Sequence, residues 1–148
     1  MDESWLPQVL DIEVRAYAFP WTDGIFRDCL KVGYSGWLVT SPDDEVLAYA
    51  VMSMAVGEAH VLNLCVDPVY HQQGLGRYVL THLLRVARGA GMDIMLLEVR
   101  KSNTAAIALY QGMGFHKLGV RKAYYPAHGG SEDALLLGYN LDRARTAR

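Results

Sequence analysis

The chain opens with a helical pattern of hydrophobic positions. Between residues 5 and 18 the apolar side chains recur at intervals of three and four residues, with charged side chains between them: Leu6, Val9, Leu10, Ile12, Val14 and Tyr17 among Asp11, Glu13 and Arg15. The Phe-Pro-Trp segment at 19–21 interrupts this pattern, and Thr22 or Asp23 is suited to cap a second short helix that ends near Gly33. We therefore expect two short helices before the first strand.

From Gly36 onward the apolar positions follow the pattern of strands. Residues 37–39 and 46–56, separated by a Ser-Pro-Asp-Asp turn, predict an antiparallel hairpin, and 60–66 predicts a third strand. Further along the chain we expect a helix to about Gly89, a buried strand over 94–99, a helix from Ser102 or Asn103 to Gly112 or Gly114, and strands over 115–125 and 134–141 joined by a loop at 126–131.

The order of these elements indicates the fold class. The third strand reaches the fourth through a helical crossover, which implies a parallel pair, whereas the hairpins imply antiparallel neighbours. The sequence therefore predicts an α/β (α+β) fold with a mixed, mostly antiparallel sheet. Because no repeat or linker interrupts the 148 residues, we expect a single domain over 1–148, ending in a basic tail at 143–148.

Composition and charge narrow the classes of protein that fit. Hydrophobic residues make up 51% of the chain and charged residues 20%, which favours a packed core over disorder. The formal net charge of −2 disfavours a general nucleic-acid-binding protein. No apolar run approaches the roughly 20 residues of a membrane span, and the start of the chain is acidic rather than signal-like. We expect a soluble cytoplasmic protein without a nucleic-acid or membrane partner.

Cysteine and histidine spacings indicate no metal site. Cys29 and Cys65 lie far apart without a Cys-x-x-Cys partner, so reduced core thiols are expected. The five histidines show no spacing typical of metal ligands.

The segment from His71 to Arg77 joins a predicted strand to a predicted helix and carries Gly74 and Gly76. Glycine lets backbone N–H groups approach a ligand closely, and the first amides of a helix are unpaired at the positive end of its dipole. Such a turn is suited to phosphate oxygens. A P-loop would need a Gly-Lys-Ser/Thr sequence, and a dinucleotide fingerprint would need glycine where Val79 stands, so neither motif is present.

A second motif follows downstream, in which Glu98 ends a strand and Asn103, Leu109-Tyr110 and Gly114-Phe115 follow at fixed spacing. Together with the preceding glycine turn, this motif resembles the GNAT superfamily of N-acetyltransferases. His71 stands where that superfamily usually has Arg or Gln, which leaves the backbone cradle intact. Four further segments resemble the RimI-type ribosomal-protein alanine N-acetyltransferases: Ala18 to Trp21, Glu98 to Arg100, Ser102-Asn103, and Arg121 to Pro126 followed by Glu132-Asp133-Ala134.

The resemblance implies acetyl-CoA as the acetyl donor, bound between two parallel strands that splay apart in a sheet with helices on both faces. The residues it implies for coenzyme binding are Leu64, Cys65 and Val66 at the strand edge, Gln72, Gln73, Gly74, Leu75, Gly76 and Arg77 in the pyrophosphate loop, and Asn103 at the pantetheine arm. The first strand common in this fold is expected to be absent or very short.

The chemistry of acetyl transfer requires a neutral amine. A protein α-amino group, with a pKa of about 7.7–8.0, is partly neutral at pH 7, whereas lysine at about 10.4 is not. We expect Glu98 to accept the amine proton. The resemblance implies that Tyr110 donates a proton to the leaving thiolate. Glu58 is a rival base, although its position in a turn favours a solvated role. The implied substrate is the N-terminal alanine of small ribosomal subunit protein eighteen, with the 19–21 and 124–126 loops flanking the peptide.

Two alternative functions stay open at this point. A small-molecule amine acetyltransferase would act on a polyamine or an aminoglycoside, and Asp43, Asp44, Glu132 and Asp133 are available for an acidic pocket. A degenerate domain would bind acyl-CoA without turnover, although the presence of both Glu98 and Tyr110 argues against it. The sequence does not determine the oligomeric state.

Overall fold

The structure, a computed structural model, describes residues 1–141, and within them it contains four α-helices and six strands in the predicted order. The helices are α1 (Leu6–Ala16), α2 (Asp23–Lys31), α3 (Leu75–Gly89) and α4 (Thr104–Met113). The strands are β1 (Ser35–Thr40), β2 (Val46–Ala55), β3 (Glu58–Val66), β4 (Ile94–Arg100), β5 (His116–Ala127) and β6 (Gly130–Asn140). They form one sheet in the order β1-β2-β3-β4-β6-β5. The first strand of residues 1–141 follows the second helix, and the predicted basic tail lies outside this range.

Local capping interactions set the ends of the helices. The Thr22 side chain accepts a hydrogen bond from the Ile25 N–H at 3.3 Å, and the Asn103 side chain accepts one from the Ala106 N–H at 3.2 Å. These two residues are therefore the N-caps of α2 and α4 among the alternatives that the sequence left open. Gly114 ends α4 with a φ of 110°, a left-handed conformation that glycine adopts without steric cost.

The last hairpin differs from the sequence prediction. The loop predicted over 126–131 is wrong, because β5 continues to Ala127 and β6 begins at Gly130. Gly129 and Gly130 have φ values of 81° and 151°, which allow a tight reversal between the two strands. Pro126 is tolerated within β5 because β5 is an edge strand of the sheet.

The described chain forms two compact units, and the first contains Met1–Ser53 and Leu62–Leu83. In this unit α1 packs against α2, and β1 pairs antiparallel with β2 from Ser35↔Met52 to Thr40↔Val46. Its core contains Leu6, Val9, Ile12, Phe26, Cys29, Val46, Tyr49, Val51 and Cys65. Both cysteines are free and buried, as the sequence predicted.

The second unit contains Met54–Val61 and the described chain from Leu84 onward. Strand β4 pairs in parallel with Glu58–Val61 of β3 and antiparallel with β6, which confirms the predicted crossover and the mixed sheet. Along β4 the side chains of Met95, Leu97 and Val99 are buried, so Glu98 projects from the opposite face of the strand. The expectation that residues 1–148 act as one functional domain stays a prediction.

Candidate functional site

The glycine turn of the first unit has the geometry of an anion-binding loop. Residues 71–74 are exposed, and Gln72 and Gly74 have left-handed φ values of 63° and 79°. Helix α3 begins at Leu75, and the Tyr78 N–H donates to the Gly74 carbonyl at 3.0 Å. The amides that precede Tyr78 at this helix start have no intrahelical acceptor. They are therefore suited to receive phosphate oxygens.

His71 makes a contact within the protein at the start of this loop. Its Nε2 lies 3.0 Å from the Val66 carbonyl oxygen. Because a carbonyl only accepts, Nε2 must carry the proton in this contact. The histidine that replaces the usual Arg or Gln thus joins the loop to the end of β3.

The backbone direction of β3 selects which of its groups face a ligand. The Asp67 N–H donates to the Leu47 carbonyl of β2 at 2.9 Å. Backbone groups alternate along a strand, so the N–H and C=O of Leu64 and Val66 point away from β2, whereas those of Cys65 point toward it. Three residues of this strand were predicted to bind the coenzyme through their backbone. Only Leu64 and Val66 have backbone groups that point away from β2 and are available for that contact.

Side chains already bind the carbonyls on this side of β3. The Tyr17 hydroxyl donates to the Leu64 carbonyl at 2.9 Å, and His71 contacts that of Val66. The N–H groups of Leu64 and Val66 are thus the donors that the strand offers there. The Cys65 thiol is buried, and burial raises its pKa to about 11, which fits a packing role.

Glu98, in the second unit, has one occupied and one unoccupied carboxylate oxygen. Its side chain is 8% exposed, and Oε1 lies 3.3 Å from Arg121 Nε and 3.8 Å from His60 Nε2. The Tyr124 hydroxyl interacts with the same carboxylate. Oε2 is buried and has no hydrogen-bond partner among the residues that the structure describes. A held carboxylate with one unpaired oxygen is the arrangement expected of a proton acceptor.

Tyr110 lies on α4 and is buried, with its ring 6.0 Å from that of Phe115. Phe115 in turn packs 5.3 Å from the ring of Tyr139, so the end of α4 is fixed by aromatic contacts. Burial raises the pKa of Tyr125 to about 12, and Glu98 and Tyr110 both contribute to that increase. The Tyr125 hydroxyl therefore stays protonated at neutral pH.

Tyr124 and Tyr125 form an ordered aromatic wall beside Glu98. Their ring centroids lie 5.0 Å apart in an edge arrangement. The Arg121 guanidinium lies 5.3 Å from the Tyr124 ring and that of Arg100 4.6 Å from the Tyr125 ring. Burial and the negative charge of Glu98 raise the pKa of Tyr124, so its hydroxyl stays protonated at neutral pH.

The other residues of interest have clear surroundings. Asn103 uses its side-chain oxygen to cap α4, which leaves its amide N–H₂ for a ligand. Glu58, the rival base, is exposed at the start of β3. Sequence reasoning assigned no role to His60 or Arg121, although Arg121 stands in the segment that carried the resemblance.

Two general properties concern residues 1–141. No group of three or more His, Cys, Asp or Glu side chains in that range is arranged to hold a metal ion. None of the helices in the same range is long and apolar enough to cross a membrane.

Comparison with known proteins places these features in context. Residues 6–115 match the model of the Acetyltransferase (GNAT) family. The [ribosomal protein bS18]-alanine N-acetyltransferase of Escherichia coli (strain K12) is 40% identical over 132 residues, which cover 89% of this chain and 88% of that protein. The protein of that name from Haemophilus ducreyi is 34% identical over 135 residues, covering 90% and 92%. The crystal structure of the Escherichia coli ribosomal-protein-S18-alanine N-acetyltransferase has a TM-score of 0.89 at 38% identity, covering 95% and 90%.

Proposed function

The chain belongs to the GNAT acetyltransferase family and is an acetyl-CoA-dependent N-acetyltransferase, and from this premise we propose that its substrate is the N-terminal alanine of ribosomal protein bS18. The observation that carries the proposal is the 40% identity, over 89% of the chain, to an enzyme named for that reaction. A ribosomal-protein substrate implies the cytoplasm as the place of reaction.

In the proposed reaction, the nitrogen lone pair of the alanine attacks the thioester carbonyl carbon of acetyl-CoA. The amine proton passes to Glu98, directly or through one water, and its unpaired Oε2 supports this role. As the C–S bond breaks, the thiolate takes a proton from the Tyr110 hydroxyl. An N-terminal amine suits this site because it is partly neutral at pH 7, so one carboxylate is sufficient.

We assign the coenzyme to the backbone donors of the glycine turn and of the β3 edge that faces away from β2. The amides from Gln73 to Arg77 hold pyrophosphate oxygens, and the side chain of Gln72 is exposed beside them. The N–H groups of Leu64 and Val66 pair with the pantetheine arm and supply a donor for the developing oxyanion. The Asn103 amide contacts the same arm.

The charges near Glu98 favour a peptide amine over a polyamine. A polycation needs several unpaired carboxylates, but Glu132 pairs with Arg100 at 2.9 Å and Asp133 lies 3.6 Å from Lys122. The aromatic wall of Tyr124 and Tyr125 is suited to pack along a peptide and to exclude water around its amine.

A thiol-release assay with acetyl-CoA tests the proposed substrate. The acceptors are a peptide with the bS18 N-terminal sequence, the same peptide blocked at its N-terminus with an added lysine, and spermidine. We expect turnover only with the free N-terminal alanine. Turnover on spermidine alone would identify a small-molecule acetyltransferase, and coenzyme binding without turnover would identify a binding module.

Replacing Tyr110 tests the general acid. Tyr110→Phe keeps the ring that packs on Phe115 but removes the hydroxyl. We expect kcat to fall by about a hundredfold while the KM for acetyl-CoA stays unchanged, because proton transfer to the thiolate is lost. Undiminished turnover would remove Tyr110 from the mechanism.

A further inference from the structure

Arg121 and Tyr124 both reach Glu98, although they lie three residues apart on one strand. In a regular strand, residues with odd separation point to opposite faces of the sheet. Their convergence on one carboxylate therefore requires an irregularity in β5.

The irregularity is a bulge between Arg121 and Tyr125. Arg121 pairs with Ala134 and Tyr125 with Glu132, so four steps along β5 match two steps along β6. The two additional residues are accommodated by Ala123, whose φ of 50° is left-handed. This change of direction lets Arg121 and Tyr124 face the same side chain.

Asp133 holds the bulge from the neighbouring strand. Its Oδ1 accepts a hydrogen bond from the Ala123 N–H at 2.9 Å, and its Oδ2 lies 3.6 Å from Lys122 Nζ. The Ala123 N–H is the main cause that keeps the pKa of Asp133 below its usual value, so the carboxylate stays ionised in this contact. A left-handed alanine is sterically disfavoured and needs such support.

The contacts that result are unequal for the two oxygens of Glu98. Arg121 Nε is placed against Oε1, and the guanidinium is itself stacked over Tyr124. Oε2 is left buried and without a hydrogen-bond partner among residues 1–141. A carboxylate that rotates freely would exchange its two oxygens. The contact with the guanidinium opposes this rotation and therefore determines which oxygen stays without a hydrogen-bond partner.

We propose that the 121–125 bulge is a positioning device, in which Arg121, stacked against Tyr124, holds Glu98 through Oε1 so that Oε2 is kept as the proton acceptor. This inference rests on the proposed function. In the step it serves, the amine N–H bond breaks and an O–H bond forms on Oε2, while Arg121 and Tyr124 neither gain nor lose a proton. Arg121 is a positioning residue that acts only through Glu98, and Tyr124 supports it by stacking against its guanidinium.

A double-mutant cycle tests this inference, with kcat and KM measured on the free-alanine peptide. The variants are Arg121→Met, Glu98→Gln and the combination of both. We expect Arg121→Met alone to lower kcat roughly tenfold or more, because misplacing a reacting group by a fraction of an ångström has effects of that size. The KM for acetyl-CoA stays unchanged. In the Glu98→Gln background, Arg121→Met has no further effect, since the group it positions is absent.

Three matched variants complete the experiment. Arg121→Lys keeps the charge without the planar guanidinium and restores part of the lost kcat. Tyr124→Phe, at a half-exposed position, lowers kcat in the same direction without loss of folding. Lys117→Met removes an exposed cation from the same strand and leaves kcat unchanged.

The outcomes separate this inference from the proposed function. If Glu98→Gln lowers kcat but Arg121→Met does not, or if Arg121→Met lowers kcat by the same factor in both backgrounds, the inference is overturned and the proposed function stands. If Glu98→Gln keeps full turnover, the assigned base is wrong and the positioning role falls with it.

Discussion

The two units each bury one glutamate, and the two carboxylates differ in how their oxygens are occupied. Glu13, in the first unit, is 2% exposed. Its Oε1 accepts from the Tyr49 hydroxyl at 2.5 Å and the Asn63 amide at 3.1 Å, and its Oε2 accepts from the Trp21 N–H at 2.9 Å. Glu98, in the second unit, keeps Oε2 without a hydrogen-bond partner within the described chain. A satisfied carboxylate supports the structure, whereas a half-satisfied one stays available for a proton.

This difference follows from the cost of burying charge. A buried carboxylate destabilises the fold unless donors satisfy it. Glu13 meets this condition with uncharged donors and thereby ties α1 to β2, to β3 and to the 19–21 loop. Burial and nearby negative charge raise the pKa of Tyr49 far above its usual range, so this tyrosine stays protonated as a donor. Glu98 lacks a donor for Oε2 within the described chain, and a buried polar atom without a partner is typical of functional groups.

Glu13→Ala should have the largest effect on stability. It leaves two buried donors and one part-buried donor without an acceptor, and each such loss costs about 1–3 kcal/mol, so we expect unfolding free energy to fall by about 3 kcal/mol or more. Urea unfolding measures this change. Asp28→Ala, at an exposed position of α2, is the control and should change stability by less than about 0.5 kcal/mol. Equal effects for the two variants would contradict the structural role of Glu13.

Glutamine substitutions test whether the two glutamates differ in how much their hydrogen bonds contribute to stability. Glu13→Gln places an amide N–H₂ against groups that are all donors and should cost about 1–3 kcal/mol. Glu98→Gln has no bond to lose at Oε2 and keeps an acceptor for Arg121, so its cost should stay below about 1 kcal/mol. The comparison fails if both variants are destabilised equally in urea.

Two tyrosines provide a matched pair of hydroxyl deletions. Tyr49→Phe removes a buried donor to a carboxylate and should cost about 1.5–3 kcal/mol of unfolding free energy. Tyr124 is 49% exposed, and Tyr124→Phe should change stability by less than about 0.5 kcal/mol. Thermal unfolding of both variants measures the contrast, and a larger loss for Tyr124→Phe would reverse the assignment.

Asp67 is a third buried carboxylate, and we expect it to have a smaller, pH-dependent effect on the free energy of unfolding. Hydrogen bonds from Arg15, and secondarily from the Val69 N–H, hold the pKa of Asp67 below the ordinary value of 3.8. Because the folded pKa is the lower one, the stabilisation is fully present above pH 3.8 and is lost as the pH falls through the folded pKa.

Asp67→Asn should therefore lower stability at pH 7 and flatten the loss of stability below pH 3.8. Unfolding in urea at pH 7, 4 and 3 tests this expectation. An unchanged acid profile in the variant would show that Asp67 is not the group that titrates.

The order of elements was predictable because its signals are local. Prolines, glycines and capping residues such as Thr22 and Asn103 act over a few residues, and the structure confirms their roles. Glu13 was misassigned to the polar face of α1, and Val14, assigned to the apolar pattern, is 58% exposed. Glu13 follows Leu6 by seven residues and lies on the same buried stripe, but its partners are 36 and 50 residues away in sequence. No periodicity reveals such distant donors.

The candidate site was indicated by motifs in the sequence. Glycine spacing indicated the turn at 71–77 and the resemblance indicated Glu98 and Tyr110, and the roles of these residues stay predictions. The bulge was not predictable, because it depends on the register between β5 and β6 and on a left-handed alanine at Ala123. An alanine gives no sequence signal for that conformation.

The most direct test of the central claim is the turnover of Glu98→Gln on the free-alanine bS18 peptide, at saturating acetyl-CoA, with urea unfolding measured on the same preparation. We expect kcat to fall by about a hundredfold or more while unfolding free energy changes by less than about 1 kcal/mol. Turnover equal to that of the unmodified enzyme, in an equally stable variant, would contradict the role of Glu98 as the proton acceptor.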